Sequence, residues 1–198
     1  PVTAQASVVA PPVREPWRPG PPLLALVAGW VALFAWSGMV TQPLTFLVPT
    51  VMVALVMSLV GSGLRTLRLP AYVIAMVQAL VGILGLNVVF AARESLLGLV
   101  PTQDSLREVF YVIGNGAATL NAYTAPVAVN PTHTRAFLMA CGLLVLFSID
   151  VLAFGVRRPP LVALPVLVTL SVPVSILNEA LALPVFVGTA LLFMRLLA

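Results

Sequence analysis

Three residues carry the side chains of a cysteine-hydrolase or acyl-transfer triad: Cys141, His133 and Asp150. A thiolate nucleophile needs a His within hydrogen-bond reach and an acid to orient that His. The spacing forbids it here. Cys141 and Asp150 fall in one apolar run, read as a helix over 136–156. At ~1.5 Å per residue they stand roughly 13 Å apart along its axis. His133 precedes that helix, toward its other end. A thiol among apolar neighbours does not ionise readily. Cys141 is therefore read as a small packing residue. With one cysteine, no disulfide or multi-cysteine metal site can form within the chain. The sequence has no Gly-rich phosphate loop, no paired carboxylates and no His cluster, so no catalytic residue, metal or cofactor is expected.

Asp150 stands out for another reason: it is an acid inside an apolar segment. Such a residue is costly in hydrocarbon and faces protein, water or a basic partner. Four arginines are candidate ion-pair partners: Arg157 and Arg158, which follow it closely, and Arg65 and Arg68, which close an earlier apolar run. The alternative is an ion or proton site, but no second acid or histidine is placed to form a relay.

The elements that must hold Asp150 follow from composition. The chain has 198 residues, 61% hydrophobic and 8% charged, with a mean hydropathy of +1.11. An ordinary soluble domain is about 25% charged. So apolar a chain cannot cover itself with polar surface; its solvent is largely lipid. The fold class expected is all-α, a polytopic membrane helical bundle. The net charge of +4 is no nucleic-acid signal, because the arginines are scattered and form no basic face. All ten basic residues are arginine, which fits a GC-rich bacterial genome.

Residues 1–22 are rich in proline and read as a flexible cytoplasmic tail. From Leu23 to Leu64 there is no charge, twice the length of one span, with Thr41-Gln42-Pro43 as the central turn. This predicts spans at 23–40 and 44–63. Trp17 and Trp36 are read as inner and outer interface anchors. Further spans are predicted at 71–92, 136–156, 160–177 and 180–198, six in all. The last two are short and proline-bearing, so a re-entrant pair is also open. Gln78 and Asn87 in the third span read as polar groups bonding between helices.

Residues 93–135 form the one sizeable polar insertion. Ser105-Leu-Arg-Glu108 has a capping-box pattern, with Thr102 as the alternative cap. Leu106, Val109, Phe110, Ile113, Ala117 and Leu120 then follow helical spacing, which predicts an amphipathic extracytoplasmic helix. Six spans with the N-terminus inside put Arg14, Arg18, Arg65, Arg68, Arg157, Arg158 and Arg195 on the cytoplasmic side. The expected location is the bacterial inner membrane, with the lipid bilayer as the main partner. Residue 1 is Pro and Arg195-Leu-Leu-Ala198 carries no helix stop, so a piece of a longer protein is expected.

The run Asp150-Val-Leu-Ala, Arg157-Arg158-Pro159, Leu161-x-x-Leu164-Pro165 and Ser171-Val-Pro173 resembles the N-terminal membrane domain of TgpA-type bacterial transglutaminase-like proteins. The Leu67-Arg-Leu-Pro70 loop and Tyr123-Thr-Ala-Pro126 fit the same pattern, and the likeness covers most of 23–198. The resemblance implies an extracytoplasmic enzyme domain with its own Cys-His-Asp triad, following the membrane helices in the same parent chain. That parent would be a transglutaminase-like acyltransferase or a cysteine protease. This chain would be its non-catalytic membrane anchor. The rival reading is a small transporter or channel using Asp150. An internal repeat would favour transport, and the two halves share no motif.

Overall fold

The computed structural model describes residues 20–95, 101–122, 131–155, 159–177 and 183–197. The described residues form helices and turns, joined as α1 (Gly20–Leu33), α2 (Leu44–Thr66), α3 (Ala71–Phe90), α4 (Gln103–Ala122), α5 (Pro131–Asp150), α6 (Ala163–Leu177) and α7 (Leu183–Leu197). Trp17, the Tyr123-Thr-Ala-Pro126 motif, Arg157 and Arg158 lie outside the described residues.

Among the described residues, three helices are long and apolar enough to cross a membrane: Leu44–Thr66, Ala71–Phe90 and Thr132–Phe154. At ~1.5 Å per residue, 20 residues span ~30 Å, the thickness of the hydrocarbon core. The apolar segments Leu24–Met39 and Pro160–Val174 are shorter. The outer faces of these helices are apolar as well. On α2, Leu44, Val48, Met52, Val56 and Leu59 are exposed at helical spacing, and on α3 so are Tyr72, Met76, Leu80 and Ile83. Water would penalise such continuous apolar stripes, whereas lipid accepts them. The described residues are thus helical, with three helices fit by length and composition to cross a membrane.

α1 packs against α2, α5, α6 and α7. Its small residues Ala25, Ala28 and Ala32 are buried, and a Cβ at Gly29 would meet Leu146 Cδ2 at 2.5 Å and Ile149 Cδ1 at 2.8 Å. Close approach of α1 and α5 thus depends on small side chains, as in other membrane helix pairs. The core lies at this contact, with Leu33, Trp36, Phe46, Leu47, Met139, Leu143 and Leu146 in one cluster. A second cluster joins Ala25, Ala32 and Ile149 to Val162, Val166 and Leu170.

Several boundaries differ from the sequence expectation. The first apolar run is α-helical only to Leu33, then tightens into a 3-10 turn, Phe34–Met39. α5 begins at Pro131, five residues before the expected start at 136, because proline fits the first helical position, where its missing N–H costs nothing. Residues 131–135 are thus part of the α5 helix. α4 begins at Gln103, so its cap is Thr102 rather than Ser105. The Ser105 N–H donates to Thr102 Oγ1 (3.1 Å) and the Thr102 N–H donates to Ser105 Oγ (2.9 Å). This is a capping box with Ser in the place Glu or Gln usually takes.

Trp36 is not an interface anchor. It is 5% exposed, and its Nε1–H donates to the Thr169 carbonyl at 2.8 Å. Pro173 lies inside α6, four residues after Thr169, and has no N–H to give that carbonyl. The indole supplies the donor the proline removed. Trp36→Phe should cost about 1–2 kcal/mol, since it orphans a buried acceptor. The cost should shrink in a Pro173→Ala background, where the helix can bond Thr169 itself. Thermal unfolding of the four proteins in detergent measures the coupling; simple additivity would refute it.

Candidate functional site

The described acid within the membrane segments is placed where three helices converge. Arg65 occupies the last turn of α2, Gln78 lies two turns into α3, and Asp150 ends α5. Antiparallel α2 and α3 bring Gln78 against Gly61 and Met57. A side chain at Gly61 would collide with the Gln78 amide, so the glycine makes room for it. From there Gln78 Nε2–H donates to the Met57 carbonyl (3.2 Å) and to Asp150 Oδ2 (2.7 Å). Arg65 comes from the other side. Its Nη2 lies 2.5 Å from Asp150 Oδ2 and its Nη1 3.5 Å from Oδ1. The guanidinium also sits over the Phe154 ring, 5.1 Å from the centroid.

The arrangement neutralises a carboxylate that hydrocarbon would not tolerate. Both charges are mostly shielded, with side-chain exposures of 21% for Arg65 and 13% for Asp150. A fork-like guanidinium against a carboxylate is among the stronger pairings available to a protein. Beside it, a cavity of about 20 Å³ is lined by Ser58, Gln78, Asp150 and apolar side chains, room for about one water. Gln78 is 1% exposed, and its Oε1 has no hydrogen-bond partner.

Arg68 takes no part in the pair. It is exposed on the α2–α3 turn, where its φ is 58°. Arg157 and Arg158 lie outside the described residues. Gln78 was read from the sequence only as a generic interhelical group. Its tie to Asp150 depends on hairpin register, which places it beside glycine at 61; a lone amide opposite a glycine was the available signal. The other span amide, Asn87, is fully buried and donates through Nδ2 to Ser95 Oγ (2.7 Å), which in turn donates to the Ala91 carbonyl (2.8 Å). It closes the end of α3.

Cys141 is half-buried in mid-α5. His133 lies in the first turn of α5, not before the helix, with its ring 6.3 Å from that of Tyr111. His133 and Asp150 are thus at opposite ends of one helix, about 25 Å apart by its rise. The three cannot act together. Among the described residues no group of three His, Cys, Asp or Glu could hold a metal ion.

The family model of the TgpA N-terminal domain matches residues 24–198. The chain belongs to this family. No curated protein and no solved structure matches it. The family's name places the chain in the context of transglutaminase-like proteins, and the matched residues include all seven helices' apolar cores.

Proposed function

We propose that this TgpA N-terminal domain is the non-catalytic membrane anchor of a transglutaminase-like, protein-glutamine gamma-glutamyltransferase-type protein, whose enzyme domain lies outside these 198 residues. Family membership across 24–198 supports this most directly. The site supports it too: Asp150 is already engaged by Arg65 and Gln78, which suits a joint between helices better than an ion-coupling group. In this reading the chain crosses the bacterial inner membrane six times with its N-terminus in the cytoplasm. α4 then packs on α5 at the extracytoplasmic side, where an enzyme domain would sit.

Topology is the first test. Ser105 is buried in the cap, so Gln103, which is exposed, is the better reporter. In a Cys141→Ser background, an impermeant thiol reagent on intact cells should label Gln103→Cys and leave Thr66→Cys unlabelled. The reverse pattern would overturn the orientation. The transport reading has its own test: purified protein in proton-tight vesicles should show no proton flux. A flux abolished by Asp150→Asn without loss of folding would replace the anchor reading.

A further inference from the structure

A second, open cleft of about 770 Å³ also borders Arg65 and Gln78. Its walls include Arg65, Arg68, Tyr72, Ala75, Gln78 and Phe154. The volume is in the range of small-molecule sites, ~300–1,000 Å³. The charges in it are unequal. Arg65 is spent on Asp150. The Arg68 backbone N–H donates to the Arg65 carbonyl (3.1 Å), but its guanidinium makes no hydrogen bond or ion pair with the described residues, so it stands in the cleft as a cation without a described counter-charge.

The backbone adds to this potential. α3 starts at Ala71, after Pro70, which offers no side-chain cap. The N–H groups of Val73 and Ile74 bond the Pro70 carbonyl (3.0 and 3.2 Å). Those of Ala71 and Tyr72 are left at the positive end of the helix dipole, on the cleft wall. Arg68 itself holds a left-handed conformation, φ 58°, at the position that ends α2, where glycine is the usual choice. An arginine there strains the backbone, since its Cβ crowds the following carbonyl oxygen. The chain accepts that cost and gains a cation at the cleft mouth.

Apolar surface continues from the cleft. Tyr72, Met76, Leu80 and Ile83 form one exposed stripe running down α3 from the cleft toward mid-membrane. An anion with hydrocarbon chains attached fits both parts; a free anion fits only the first. We propose that this cleft binds the phosphodiester headgroup of an anionic lipid. Arg68 and the first N–H groups of α3 take the phosphate, and the acyl chains lie along the Tyr72–Ile83 stripe. Basic pockets at the ends of membrane helices bind headgroups in this way. The inference rests on the membrane placement of α2, α3 and α5, not on the anchoring role. Carbonate extraction of the same membranes tests that placement separately.

Native mass spectrometry of the detergent-solubilised chain, titrated with dioleoylphosphatidylglycerol or dioleoylphosphatidylcholine, is the direct test. One phosphatidylglycerol should bind ahead of the rest, and at least fivefold more tightly than phosphatidylcholine. Arg68→Gly relieves the strained backbone while deleting the cation, so it should fold at least as well yet bind about fivefold more weakly. Arg68→Lys should keep most of the affinity. Arg107→Gln, on α4 at the far end of the bundle, should bind as the unaltered chain does. Equal binding of the two lipids, or undiminished binding by Arg68→Gly, would overturn the proposal. Full displacement of phosphatidylglycerol by millimolar inorganic phosphate would assign the cleft to a soluble phosphate and overturn the lipid assignment.

Discussion

Asp150→Ala should destabilise the bundle by about 2–3 kcal/mol. Removing one partner from a fully buried pair costs ~3–5 kcal/mol, because the other charge stays behind unpaired. The exposures of 21% and 13% let some solvent relax around Arg65, which lowers that figure. The deletion also strips Gln78 Nε2 of its 2.7 Å acceptor, leaving it the longer bond to Met57. Asp150→Asn should cost less, about 1 kcal/mol, since the amide oxygen still accepts from Arg65 or Gln78. Arg65→Ala should match Asp150→Ala. Joint replacement of both by leucine should recover most of the loss, because paired charges often roughly break even with apolar packing. Melting temperature in detergent is the readout, with a drop of ~5–10 °C expected for Asp150→Ala. If Asp150→Ala melts like the unaltered chain, the pair has no structural role.

Two glycines on α4 should respond to alanine with opposite signs. At Gly116 a Cβ would collide with the His133 carbonyl oxygen and sit 2.7 Å from Phe137 Cβ and 2.8 Å from the His133 carbonyl carbon. Backbone atoms of α5 cannot rotate aside, so α4 must lift. Overpacking of this kind costs about 1–3 kcal/mol. At Gly114 a Cβ meets nothing within 4 Å. Alanine there should stabilise by ~0.5–1 kcal/mol through helix propensity alone. Hydrogen exchange on α4 gives the decisive reading: faster in Gly116→Ala, slower in Gly114→Ala. A shared direction would mean that α4 does not depend on its seat against α5.

Periodicity and charge made much of this fold legible. A run of 42 residues without charge, with Gln42-Pro43 at its centre, reads as two apolar helices, since a span needs only about 20. The Arg65-to-Pro70 loop and the polar insertion marked the next two breaks. What stayed hidden was three-dimensional. The sequence offers four arginines for Asp150; of the two that are described, Arg65 reaches it because α2 runs a full 23 residues, past its expected end at 63. Trp36 looked like an interface residue because tryptophans favour interfaces, but the carbonyl it serves is orphaned by a proline 137 positions later. The cap of α4 was hidden by a local pattern: Ser105-x-x-Glu108 resembles a box, and the reciprocal Thr102–Ser105 pair does not.

The Trp36–Thr169 bond has a bearing on how the chain is assembled during synthesis. The translocon meets the indole long before the carbonyl, with 133 positions between them. When α6 emerges, Thr169 faces lipid with a lone pair that no helical N–H can reach, an exposure worth several kcal/mol in hydrocarbon. α6 is therefore a poor candidate for release as an isolated helix. It leaves the translocon most cheaply if α1 is still close enough to offer Trp36. α6 would then be held to the 3-10 turn that follows α1 before α7 is added to the bundle. In a stalled-ribosome series, crosslinking between positions 36 and 169 should appear as soon as α6 clears the exit tunnel, and Trp36→Phe should delay it.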